Sequence, residues 1–159
     1  MTTETIAATV HRAWAADLSP AQLYLLLRLR EEVFVVEQEC AYPELDGRDL
    51  EEAARHYWLT PHGLPHTVLG CLRLLEEPGG AYRIGRLCTA PSVRRRGLGR
   101  QLLRAGLAEV GGGACVLDAQ EHLVEFYRKH GFEPSGPSYV EDGIAHVPMV
   151  RGGTRAPRR

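Results

Sequence analysis

Between residues 93 and 100 the chain reads Val93-Arg94-Arg95-Arg96-Gly97-Leu98-Gly99-Arg100. Four arginines thus surround two glycines set one residue apart, a composition suited to a phosphorylated ligand if the segment opens a helix. The first N–H groups of a helix have no intrahelical acceptor and lie at the positive end of its dipole, so a pyrophosphate can take hydrogen bonds there. Glycine removes the Cβ that would hold such a ligand away from the backbone, and arginine adds charge in a forked donor geometry. Residue types alone do not decide the matter, because a lone GxG is a weak signal and an arginine run is commonly solvated surface or a nucleic-acid contact. Context decides it. Residues 82–89 read as a β-strand, and residues 97–110 read as an apolar-faced helix stopped by Gly111, Gly112 and Gly113.

A second segment repeats the strand-to-helix pattern. Residues 114–118 read as a buried strand and residues 121–130 as a helix ended by Gly131, with Phe126 and Tyr127 on it.

Upstream elements must position these two segments. Residues 6–14 alternate weakly as an opening strand. Ser19 predicts an N-cap with Pro20 at the first helical position and Gln22 closing a capping box; the helix runs to about Val33, with Leu23, Leu26, Leu27 and Arg30 at helical spacing. Residues 37–52 have no clean period and predict a long acidic loop with a helical turn near 49–54, and long irregular loops in compact domains are usually functional. Strand-type runs at 56–60, 67–75 and 82–89, separated by Pro and Gly clusters, predict a hairpin-connected antiparallel sheet. A last strand pair around Tyr139 and 144–150 turns through Asp142-Gly143. Residues 1–151 are therefore expected to form one domain and 152–159 a flexible tail.

Composition narrows the class. The chain has 159 residues, 44% of them hydrophobic and 25% charged, which fits a soluble globular domain and excludes collagenous, disordered and membrane-spanning classes. No basic segment precedes an apolar run at the N-terminus, so a cytoplasmic location is the default expectation. Cys40, Cys71, Cys88 and Cys115 are too dispersed for a zinc site and are expected as free thiols.

The net charge of −1 conceals a strong asymmetry. Residues 31–52 hold nine acids against Arg48 alone, a net of −8, and residues 83–104 hold seven arginines and no acid, a net of +7. One reading is a two-substrate enzyme with an anionic and a cationic ligand; the other is that the two segments neutralise each other.

The pattern Arg94-x-x-Gly97-x-Gly99 resembles the pyrophosphate-binding signature of the GNAT acetyltransferases. The stretch Ala119-Gln120-Glu121-His122-Leu123-Val124-Glu125-Phe126-Tyr127-Arg128-Lys129-His130-Gly131-Phe132 is similar to that family's penultimate strand-to-helix segment. Val33-Phe34-Val35-Val36-Glu37-Gln38-Glu39-Cys40, Tyr42-Pro43-Glu44-Leu45-Asp46-Gly47-Arg48-Asp49 and Glu141-Asp142-Gly143-Ile144-Ala145-His146 narrow the resemblance to its ElaA-like group. The resemblance implies an α/β fold with a mixed, mostly antiparallel central sheet of six to seven strands flanked by about four helices. It also implies acetyl-CoA as co-substrate, no metal, a small-molecule or peptide amine as acceptor, and neither nucleic acid nor membrane as partner, with a homodimer left open.

The same resemblance distributes roles. Main-chain N–H groups at Leu87, Cys88 and Thr89 polarise the thioester carbonyl; Arg94, Arg95, Arg96, Gly97, Leu98, Gly99 and Arg100 hold the pyrophosphate; Gln120 and Phe126 line the cofactor, with Gln120 where many relatives carry Asn. Tyr127 matches the position whose phenol faces the CoA sulfur, and a phenol can protonate an alkyl thiolate of comparable basicity. Many relatives place a glutamate general base on the strand that polarises the carbonyl, but residues 82–89 offer only Arg83 and Arg86. Glu37, Glu44, Asp46, His56 and His146 remain as candidates for the base or for the acceptor site. An acetyl-cysteine route through Cys88 or Cys40 is the alternative to direct attack. At the level of the whole protein the alternatives are acyl-homoserine-lactone synthesis, CoA binding without turnover, and a nucleic-acid-binding module using residues 94–104.

Overall fold

The computed structural model describes residues 6–153. Eight strands form one sheet: β1 (Ala8–Trp14), β2 (Arg55–Pro61), β3 (Gly70–Glu76), β4 (Tyr82–Thr89), β5 (Cys115–Gln120), β6 (Glu133–Pro134), β7 (Tyr139–Glu141) and β8 (Ile144–Arg151). Their order is β1-β2-β3-β4-β5-β8-β6, with β7 also paired to β8, and every pairing is antiparallel except β4 with β5. Three α-helices flank it: α1 (Pro20–Arg30), α2 (Leu98–Val110) and α3 (Val124–Arg128). The α/β class and the mostly antiparallel sheet are those expected. The strand count rises to eight because β6 adds two residues that carry no recognisable strand pattern.

Helix α1 begins where Ser19 Oγ accepts the Gln22 N–H at 3.0 Å, with Pro20 at the first position. It does not stop near Val33. The backbone continues as π-helix over Glu31–Glu37, because nothing in Phe34-Val35-Val36 breaks a helix, and the chain turns only at Glu39, which has a φ of 50°. The helix expected over 121–130 instead splits into a 3-10 turn, Glu121–Leu123, and the five-residue α3, with Gly131 at φ 90° reversing the chain as foreseen. The β7–β8 hairpin turns through Asp142 and Gly143, both with positive φ, as a two-residue loop requires.

Two apolar clusters lie on opposite faces of the sheet. On one face α2 packs Leu98, Leu102, Leu103, Leu107 and Val110 against Leu59, Leu72, Leu74, Ile84, Leu117 and Met149. On the other, Leu26, Leu29 and Val33 meet Trp58, Cys71 and Cys88. Each fully buried aliphatic side chain contributes about 1.5–3 kcal/mol relative to exposure. These two slabs fix where β4 and the start of α2 stand.

The decisive topological feature lies at the centre. Strands β4 and β5 pair only at Tyr82↔Cys115 and Arg83↔Val116. Beyond those pairs the two strands diverge, leaving residues 84–89 and 117–120 to border a fork. Arg83 Nη1 donates to Asp118 Oδ2 at 2.9 Å across its base. Among the described residues no helix is long and apolar enough to cross a membrane.

Candidate active site

The fork is useful because of the direction its backbone faces. The Tyr82 N–H donates to Ala114 O at 2.8 Å, towards β5, whereas the Ala90 N–H donates to Leu69 O at 2.8 Å, towards β3. In a regular strand two groups an even number of residues apart point the same way. These point opposite ways because β4 gains one residue: the register with β3 steps from Arg73↔Gly85 to Cys71↔Cys88. Side chains record the same reversal, with Ile84 in the α2-side cluster and Cys88 in the α1-side cluster. Downstream of this bulge the N–H groups of Thr89 and, by alternation, Leu87 face the fork rather than β3. Leu87 and Cys88 send their side chains to the two cores, so what the fork receives from this stretch is backbone.

At the mouth of the fork stands the α2 N-terminus. Gly97 is its N-cap with φ 76°, a left-handed conformation that favours glycine, and no side chain caps the helix. The N–H groups of Leu98, Gly99 and Arg100 therefore have no i−4 acceptor and lie open to an anion. Arg100 and Arg104, one helical turn apart on α2, and Arg96 in the loop before it line a pocket of about 240 Å³ with Ile6, Gly97 and Gln101. Arg94 is placed differently. Its guanidinium grips Glu37 at the end of the π-helical stretch (Nη1 to Oε2, 2.6 Å) and also reaches Thr89 O at 3.3 Å. This pairing holds the Glu37 carboxyl below the usual carboxylate range, chiefly through the Arg94 hydrogen bond.

On the opposite bank, Tyr127 is buried among Phe126 and Phe132, edge-on to both rings. Burial pushes its phenol well above 10, which keeps it protonated and available as a donor. Gln120, at the end of β5, exchanges amide hydrogen bonds with Gln38 at 3.2 Å in both directions, and Cys40 Sγ donates to Asp142 O at 3.3 Å. Residues 37–40 thus span from Arg94 to the β7–β8 turn, bridging both banks. Nothing in the sequence links Gln38 with Gln120; that contact is a product of the fold.

The candidates for the base and the acceptor site separate sharply. Glu44 is 6% exposed and accepts from Arg30 Nε and Nη2 at 3.2 and 2.9 Å. Asp46 accepts two hydrogen bonds from Arg73 at 2.9 Å; burial pushes its carboxyl up, but the Arg73 and Arg48 N–H donors outweigh this and hold it far below its ordinary value. His56 is buried on β2 with Nε2 donating to the Asp49 carbonyl at 2.9 Å, and burial lowers its affinity for a proton. In the structure the Glu44 and Asp46 carboxylates are paired with arginines and the His56 imidazole is buried on β2, so each is engaged within the fold. Glu37 is likewise engaged by Arg94.

His146 is half-buried, and its Nδ1–H donates to Ile144 O at 2.8 Å, which leaves Nε2 without a hydrogen-bond partner among the described residues. It pairs with Gln120 in register, stacks on Tyr139 with centroids 5.7 Å apart, and shares its sheet face with Asp118 and Glu141. The cysteine route loses support, since Cys88 is hydrogen-bonded to Cys71 (Sγ to Sγ 3.7 Å) and buried, both of which push its thiol up and disfavour the nucleophilic thiolate. Sequence reasoning missed the partners of the acidic loop, Arg30 and Arg73. The available signal was Arg30 itself, a charge placed on the apolar stripe of α1.

The chain as a whole is similar to known proteins. The chain matches the acetyltransferase (GNAT) domain over residues 15–151. It belongs to the GNAT family. A UPF0039 protein of Mycobacterium bovis is 52% identical to this GNAT chain over 149 residues, covering 91% of this chain and 94% of that one. The crystal structure of Escherichia coli ElaA superposes with a TM-score of 0.81 at 33% identity, over 91% of this chain and 99% of that one. An acyl-CoA N-acyltransferase from Pseudomonas aeruginosa gives 0.85 at 37% identity, over 92% and 100%. The ElaA-like resemblance is thereby borne out. Among the described residues of this GNAT domain no cluster of three His, Cys, Asp or Glu side chains could hold a metal ion.

Proposed function

We propose that the protein is an N-acetyltransferase that takes acetyl-CoA into the fork and passes the acetyl group to a primary amine by direct attack in a ternary complex. The observation that carries this reading is the reversal in β4 that turns the Leu87 and Thr89 N–H groups toward the fork, next to the open N–H groups of Leu98, Gly99 and Arg100. A carbonyl lodged against the first pair would be polarised while the pyrophosphate rests on the second.

In this mechanism the amine nitrogen bonds to the thioester carbon, the negative charge gathers on the oxygen held by the β4 amides, and the C–S bond then breaks. Tyr127 gives its proton to the departing thiolate. His146 Nε2 takes the amine's proton through one intervening water, because β8 lies one strand, about 4.8 Å, beyond β5. The protonated His146 gives its proton to solvent and the Tyr127 phenolate recovers one from it, so one amide and one free thiol are produced for each amine and thioester consumed.

Incubating the protein with acetyl-CoA and polyamines, aminoglycosides, amino acids or peptide N-termini should release free thiol only with an accepted amine, and mass spectrometry should find that amine acetylated. Tyr127→Phe should then lower kcat by roughly 10 to 10³-fold with little change in acetyl-CoA affinity. Tight CoA binding without turnover on any amine, or transfer only from acyl carrier protein donors, would replace this reading with a rival.

A further inference from the structure

Arg86 occupies the extra position in β4 with a φ of 53°, a left-handed conformation that costs a non-glycine residue on the order of 1 kcal/mol or more. Nothing in the local sequence favours an arginine there. Its side chain explains why it persists. Arg86 Nη2 donates to Glu44 O at 2.9 Å and reaches Asp46 Oδ2 at 3.4 Å, and its Nε lies 2.5 Å from Glu44 Oε1 as an ion-pair contact without hydrogen-bond alignment. Glu44 is itself held by Arg30, only 1% exposed, which also binds Asp49 (Nη1 to Oδ1, 2.6 Å); Arg73 ties Asp49 to Asp46. Three arginines and three carboxylates therefore form a closed network from α1 through the acidic loop to the strained residue. On the backbone side, the Arg86 carbonyl accepts from Cys71 Sγ at 3.6 Å.

We propose that Arg86 is a positioning residue: the Arg30–Glu44–Arg86 chain pins the β4 bulge in the register that presents the Leu87 and Thr89 N–H groups to the thioester. The inference rests on the acetyl-CoA reading above and adds to it a cause for the amide geometry. The acidic loop, on this view, serves the carbonyl rather than the amine. A neutral network is suited to that task, since it fixes a backbone without imposing a net charge on the fork.

The test needs no acceptor. Isotope-edited infrared spectroscopy of bound [1-13C]acetyl-CoA reads the polarisation of the carbonyl as a shift to lower frequency relative to the free thioester. Arg86→Gly is the informative variant, because glycine adopts the left-handed conformation without strain and so leaves the fold able to form while deleting the clamp. The expected result is a folded protein whose acetyl-CoA Kd stays within about threefold of the parent and whose carbonyl shift falls by at least half. Arg86→Lys, which keeps one ion pair to Glu44 but not the forked geometry, should recover part of the lost shift. A full shift in Arg86→Gly, or equal losses in the Gly and Lys variants, overturns the clamp. Failure of the parent itself to bind acetyl-CoA or shift its carbonyl would instead overturn the underlying reading of the fork.

Discussion

The protein holds two arginine clusters that a count of charges would treat alike. Arg30, Arg73 and Arg86 lie on the α1 face, where Glu44, Asp46 and Asp49 neutralise them one for one. Arg100 and Arg104 on α2, with Arg96 from the loop before it, stand around an open pocket. The first set cannot recruit an anion, since its donors are spent on carboxylates; the second can, and sits beside an uncapped helix N-terminus. Arg94 falls between them, tethered to Glu37 yet close in sequence to the uncapped start of α2. What an arginine does is thus set by whether the fold brings it a carboxylate. The same holds for the acids, so the local surplus of −8 between residues 31 and 52 overstates the field that the fork receives.

Substituting one residue in the first cluster and one beside the second should break different things. The largest effect is expected at Arg30: replacing it with alanine leaves Glu44 and Asp49 buried without their partner and should cost about 3–5 kcal/mol of stability, read as a lower urea midpoint with an unchanged slope. A loss below about 1 kcal/mol would show the network to be well solvated rather than structural. Next is the open cluster. Gly97→Asp forces a side chain onto a left-handed position and brings negative charge against the pyrophosphate, so CoA should no longer raise the Tm and its Kd should rise at least about tenfold. Titration calorimetry giving the parent affinity for that variant would remove residues 94–100 from cofactor binding.

The contrast also explains which parts were legible in the sequence. Strand β4 appears where residues 82–89 placed it, and α2 begins directly after Gly97, because strand composition, the glycine cap and the helical apolar stripe are all local signals that tertiary packing does not oppose. The glycine-led turn into α2 was readable for the same reason. The bulge was not: it depends on Arg86 tolerating a backbone angle that its own type disfavours, and the compensation comes from Glu44, 42 residues away. The partners of the acidic loop were hidden likewise, although Arg30 on an apolar stripe announces that some carboxylate must meet it. The split of the helix at 121–130 and the two-residue β6 lie below the length at which periodicity is informative.

The smallest expected effect separates the clusters by pH. Arginine stays charged throughout the accessible range, so the open cluster has nothing of its own to titrate in acid. The neutralised cluster does. Asp46 and Asp49 are pushed up by burial but held below their ordinary value by the surrounding arginines, so their folded-state proton affinity is lower than that of an unfolded aspartate. A carboxylate with a depressed folded pKa stabilises fully above its unfolded pKa, near 4, and loses that contribution as the pH falls through the folded value. Stability in urea should therefore be flat from pH 7 to about pH 5 and decline below it. Asp46→Asn should be less stable than the parent at neutral pH and decline less steeply in acid, because it has already lost one of the titrating partners. Parallel slopes for the two proteins below pH 5 would mean that Asp46 is solvated in the folded state and that the clamp on Arg86 runs through Glu44 alone.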